Sequence, residues 1–150
     1  MSTDHDIKVM NSLIGTVIDN ADGYTEAARA AGGSRYSEIF QRRGAERQEL
    51  AVRLQGKVRS LGGTPEDDGT MLARAHRMFL SLCNSLSSDE TAIVDQAEAG
   101  EDHIKHKFAE AQSDREVSPG TMADIHDAYS IIKAGHDEIR DLGRSLHAGI

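Results

Sequence analysis

The sequence predicts an all-α fold: four long helices packed as a bundle, in one domain spanning residues 1–150. Three observations carry this. Apolar residues recur at helical spacing through four long stretches. The composition favours helix over strand, with 2 Pro, 3 Tyr, 3 Phe and no Trp among 150 residues. Glycine and proline gather in a few short breaks between those stretches.

The first helix is predicted over roughly residues 4–31, with Met10, Ile14, Val17, Ala21, Tyr24 and Ala28 on one stripe. Gly32 and Gly33 stop it, and Ser34 is placed to cap the next. The second runs from about Arg35 to Leu61 along Tyr36, Ile39/Phe40, Arg43, Glu46/Arg47, Leu50, Leu54 and Val58, until "LGGTPEDDGT" breaks it. About 25 residues then separate it from the third, too long for a structureless link in a compact domain. Met71, Leu72, Ala75, Met78, Phe79, Leu82 and Leu86 in this stretch predict a short crossover helix. The third helix begins near "SSDE", capped by Ser87 or Ser88, and runs to about Gln112 through Ile93, Ala97, Ile104 and Phe108. Ser118 and Pro119 open the fourth, whose stripe is Met122, Ile125, Tyr129, Ile132, His136, Ile139 and Leu146. Short links make antiparallel hairpins of helices one and two and of helices three and four, and the long connection joins the pairs.

The formal charge of −8 is repelled by phosphate backbones and anionic lipid, so neither nucleic acid nor a membrane is an expected partner. The chain's beginning, "MSTDHDIKVM", lacks the basic region and apolar run of a signal peptide, and no apolar stretch reaches transmembrane length. The single Cys83 fits a reducing compartment, and a cytoplasmic location is expected. Cys83 itself reads as a small apolar residue rather than a nucleophile. The crossover segment carries more apolar residues than one side of a short helix needs, which predicts a homodimer.

The chemistry of interest lies at mid-helix. Glu46 and Glu49 on helix two, Glu98 and Glu101 on helix three and His136 on helix four fall near one level of the bundle. A buried charge is costly unless it is paired or bound to a metal. His103 and His106, three apart beside Asp102 and Glu110, read as a solvated face.

The stretches "ERQELAVRLQGKVRSLGGTPEDDGT", "AEAGEDHIKHKF" and "AGHDEIRDL", with "DNADGYTEAA" more weakly, resemble an uncharacterised bacterial family of ferritin-like four-helix proteins, a domain of unknown function. The resemblance implies an antiparallel ferritin-like bundle with the crossover between helices two and three. Ferritin-like di-metal proteins supply a Glu from each of two helices and Glu-x-x-His from each of the others. Against that pattern, Glu46-Arg-Gln-Glu49 has Glu in place of His, and Lys133-Ala-Gly-His136 has lysine in place of Glu. Two functions follow as expectations. One is a structural, stress-related or interaction module whose degenerate polar layer is a satisfied network. The other is an iron, manganese or zinc protein, oxidase-like, with a surviving subsite among Glu46, Glu49, Glu98, Glu101 and His136. Pairing of Lys133 with Glu98, Glu101 or Glu46 would weaken the metal reading, whereas a Lys133 that reaches out of the bundle would leave the site open. His136, on the apolar stripe, is expected to be buried and held by Glu46 or Glu101.

Overall fold

A computed structural model describes residues 2–68 and 90–148. They form four helices: α1 (Thr3–Ala31), α2 (Arg35–Ser60), α3 (Glu90–Gln112) and α4 (Pro119–Ala148). No strand occurs among the described residues. The crossover helix, its expected dimer surface, Cys83 and the Ser87 or Ser88 cap lie outside them.

Each described boundary has a local cause. Ser2 caps α1 by accepting from the His5 N–H at 3.1 Å. Ser34 precedes α2 in extended backbone but makes no side-chain cap bond. Gly62, at φ 85°, lets the chain leave α2 through the left-handed region that other residues avoid. The segment after α2 is then tied to α1: Asn11 donates to Thr64 O at 3.0 Å and accepts from the Glu66 N–H at 2.7 Å. At the other end of this pair, the Ser37 hydroxyl donates to Ala28 O at 3.0 Å. The start of α1 thus adjoins the end of α2, and the end of α1 adjoins the start of α2.

α1 packs against α2 and α3, and α4 packs against α3 and α2. Asp6 on α1 accepts from the Ser118 N–H (3.0 Å) and the Thr121 hydroxyl (3.1 Å), capping α4 from another helix. The core lies in two clusters. One joins Met10, Ile14 and Val17 to Leu50, Leu54, Ile104, Phe108, Ile125 and Ile132. The other joins Tyr24, Ala27, Ala28, Tyr36 and Phe40 to Ile93, Val94, Ala97 and Ile139. A polar layer lies between them. No helix among the described residues is long and apolar enough to cross a membrane.

Candidate functional site

The polar layer draws on all four helices. α2 buries Phe40, Gly44, Arg47, Leu50, Leu54 and Val58, so the residue entering the centre is Arg47 rather than Glu46. On α3, Glu101 follows Ala97 and precedes Ile104 on the buried stripe. On α4, Gly135 and His136 fall between Ile132 and Ile139.

Arg47 and Glu101 are both fully buried. Arg47 Nη2 donates to Glu101 Oε2 at 2.9 Å, and the Tyr24 hydroxyl donates to Glu101 Oε1 at 2.7 Å. The Asn20 side chain adds a further hydrogen bond to the same carboxylate. Burial raises the Glu101 pKa against the opposing pull of Arg47, Tyr24 and Asn20. Burial and then the Glu101 charge push the Tyr24 phenol far above its ordinary range, so it stays a donor. Arg47 Nε and Nη1 are buried and make no hydrogen bond to the described residues, although Glu46 Oε1 lies 3.8 Å from Nε. Glycine makes room for the guanidinium: a Cβ at Gly135 would collide with Arg47 Nη2.

His136 is buried, as expected, but its partners differ from those expected. Its Nε2 lies 2.7 Å from Asp102 Oδ1 on α3, and its Nδ1 lies 3.2 Å from Asp137 Oδ1 on its own helix. The reason is rotation about α3. Glu101 points into the centre, where Arg47 and Tyr24 take it, and Asp102 is the next residue round, at the edge facing α4. Both partners are carboxylates, which accept and do not donate. The hydrogen bond from His136, and then that from Lys133, hold the Asp137 carboxyl at about 2.

The other sequence candidates scatter. Glu46 is half-buried and pairs with Arg43 at 3.0 Å, and Arg43 also donates to Glu138 on α4 at 2.9 Å. Glu49 is exposed on the outside of α2. Glu98 is half-buried, with its Oε1 packed over Gly143, 2.6 Å from where a Cβ would stand. Lys133 is exposed and pairs with Asp137 at 3.1 Å, not with Glu46, Glu98 or Glu101, so Lys133 itself does not count against a metal at this level. His106 makes a surface pair with Glu110 at 2.9 Å, and His103 is exposed. Among the described residues, no three His, Cys, Asp or Glu side chains gather as a group that could hold a metal ion. Arg47 stands between Glu46 and Glu101, with Nε 3.8 Å from the first and Nη2 2.9 Å from the second.

Sequence reasoning passed over Tyr24, Arg47 and Asp102 as site residues. The signal for Arg47 was its spacing from Phe40, Gly44, Leu50 and Leu54, which shares one face better than Glu46 does.

A family model described as "Domain of unknown function (DUF2383)" matches residues 5–114, which include Tyr24, Arg47 and Glu101. Comparison with curated proteins gives no match, and comparison with solved structures gives none either.

Proposed function

The chain belongs to the family of that description, DUF2383, and from that premise we propose that it is a structural or interaction module built as an antiparallel ferritin-like bundle, in which a guanidinium replaces the metal. The observation that carries the proposal is Arg47. Its side chain is 0% exposed and occupies the centre of the layer against Glu101. A di-metal bundle brings carboxylates together around cations. Here the positive charge at that level is covalently part of the chain, and the carboxylate facing it is already engaged by Arg47, Tyr24 and Asn20. A divalent ion at Glu101 would have to displace the guanidinium, and a buried Arg without its carboxylate is strongly unfavourable.

On this reading the layer sets helix register. Tyr24, Arg47, Glu101 and His136 each accept one arrangement of neighbours, whereas the aliphatic layers on either side tolerate sliding. The fold then serves as a rigid frame in a reducing cytosol, with its outer faces free for partners. The test is metal analysis of protein purified without a His-tag, before and after incubation with iron, manganese and zinc. The expected result is less than stoichiometric metal in each case, with thermal unfolding unchanged by chelator. Stoichiometric metal lost on Glu101→Gln or His136→Leu would overturn the reading in favour of a metal-binding bundle.

A further inference from the structure

α2 carries seven Lys and Arg against three Glu in a chain whose formal charge is −8. Part of that positive charge is paired within the molecule, with Glu101, Glu46, Glu138 and Asp124. The outer face is different. Glu38, Arg42, Ala45, Glu49, Val52 and Arg53 are all exposed and follow helical spacing along one stripe. Val52, at 64%, is the exposed large hydrophobic among the described residues. Glu38, Glu49 and Arg53 form no ion pair among the described residues, and Arg42, 61% exposed, reaches back to Glu138.

The order of signs on this stripe is its own complement when reversed. The charges read Glu38, Arg42, Glu49, Arg53, at intervals of four, seven and four residues. Laid antiparallel on an identical helix, with the twofold axis beside Ala45 and Glu46, Glu38 meets the other copy's Arg53 and Arg42 meets its Glu49. The same operation sets Val52 opposite the half-buried Ile39. A parallel pairing would set like charges against each other. At the axis stands Ala45, whose small side chain lets two helices approach closely. Beside it lies a groove of 470 Å³ between α1 and α2, lined by Gln41, Ala45 and Gln48 with Thr25 and Arg29 and by no carboxylate.

We propose that the outer face of α2 is the surface on which a second copy of this chain docks, α2 against α2, antiparallel about a twofold axis at Ala45. The interface is isologous, so each charge pair occurs twice. Exposed ion pairs contribute little affinity each, and their role here is to fix orientation and exclude the parallel alternative. The proposal rests on the described face of α2 alone and stands whether or not the polar layer binds metal.

The experiment is sedimentation equilibrium at low and high salt on the full chain, wild type against Arg53→Glu and the exchange Glu38→Arg/Arg53→Glu. The wild type should dimerise, more weakly at high salt. Arg53→Glu puts two repulsive contacts in place of two attractive ones and should weaken dimerisation by about tenfold. The exchange should restore it, because the arginine introduced on one copy would again face the glutamate introduced on the other. All these positions are exposed, so thermal unfolding of both variants at low protein concentration should match wild type. A wild type that stays monomeric at high micromolar concentration and low salt overturns the proposal. So does a dimer indifferent to Arg53→Glu, or an exchange variant that folds normally and fails to recover.

Discussion

On one side of the Arg47–Glu101 layer the core is filled by long side chains from all four helices: Met10, Leu13, Ile14, Leu50, Leu54, Ile104, Phe108, Ile125 and Ile132. On the other side, among the described residues, it has fewer side chains. Ala27, Ala28 and Ala97 are three of its nine buried apolar residues, against Ala51, Ala111 and Ala128 among fifteen in the first half, and Tyr24 and Phe40, with ring centroids 6.1 Å apart, supply much of the bulk. The second half also holds buried Ser37, the groove at Gly44 and Ala45, and Glu98 lying over Gly143. Among the described residues the first half therefore buries more large apolar side chains and is expected to stabilise the bundle more. The second half gives up some of that stability for polar contacts and closer backbones. The layer between them belongs to neither: it contributes specificity, and it is the level where a single change does most harm.

The largest effect should come from breaking that layer on one side only. Arg47→Ala leaves Glu101 buried without its counter-charge and should cost about 3–5 kcal/mol in urea unfolding. Arg47→Met with Glu101→Leu removes both charges and fills similar volume, and should fall near wild type or above it. If the single substitution lost under about 1 kcal/mol, the guanidinium would not be buried at the centre.

Equal truncations in the two halves sharpen the contrast. Leu54→Ala opens a cavity walled by close-packed side chains and should cost about 4 kcal/mol. Ile139→Ala opens one beside alanines and flexible polar chains that can close in, and should cost about 2 kcal/mol. Native-state hydrogen exchange should agree, with amides near Leu54 opening at close to the global free energy and those near Phe40 opening earlier. Equal losses, or the reverse order, would mean that the halves are packed alike.

Asp6 closes the far end of the stronger half. Although burial works to raise its pKa, the Ser118 N–H and side chain, and after them the Thr121 hydroxyl, hold its carboxyl below the usual range. Asp6→Ala removes the cap of α4 and should cost about 1–2 kcal/mol. Substituting Ser34, which makes no side-chain cap bond, should cost less, and thermal unfolding of the two variants compares them directly.

The helices were legible in the sequence because each carries a long apolar stripe, and the breaks after α1 and α2 and before α4 are marked by glycine or proline. α1 and α2 match their expected limits to within one residue. The level of the polar layer was legible too, since Glu101 and His136 interrupt otherwise apolar stripes. Its wiring was not. Helical geometry places successive residues about 100° apart, so a small error in phase exchanges Glu46 for Arg47 or Glu101 for Asp102. Only packing decides between them, and here it does so through Gly135, whose missing side chain is what lets Arg47 enter. Long charged side chains add a second ambiguity. Lys133 begins near the layer, and its flexible stem carries the ammonium out to Asp137 at the surface.

The smallest effect expected at the layer is its response to acid. Asp137 sits at its solvent edge, accepting from His136 Nδ1 and from Lys133, with Arg140 also 3.3 Å away. The His136 hydrogen bond, and after it the Lys133 bond, bring its pKa from 3.8 to about 2. A carboxyl depressed in the folded state favours folding wherever it is ionised. Its contribution is complete above the unfolded value and disappears as pH falls through the folded one, so the window runs from 3.8 down to about 2. Within that window wild type should lose stability more steeply than Asp137→Asn, which has no proton to take up. Above it the two curves should run parallel, with a small offset, because solvent screens a pair so near the surface. The measurement is denaturant midpoint against pH for both proteins. Equal acid slopes would show that Asp137 titrates alike in the folded and unfolded chains, and that His136 is held to α3 by Asp102 without help from its own helix.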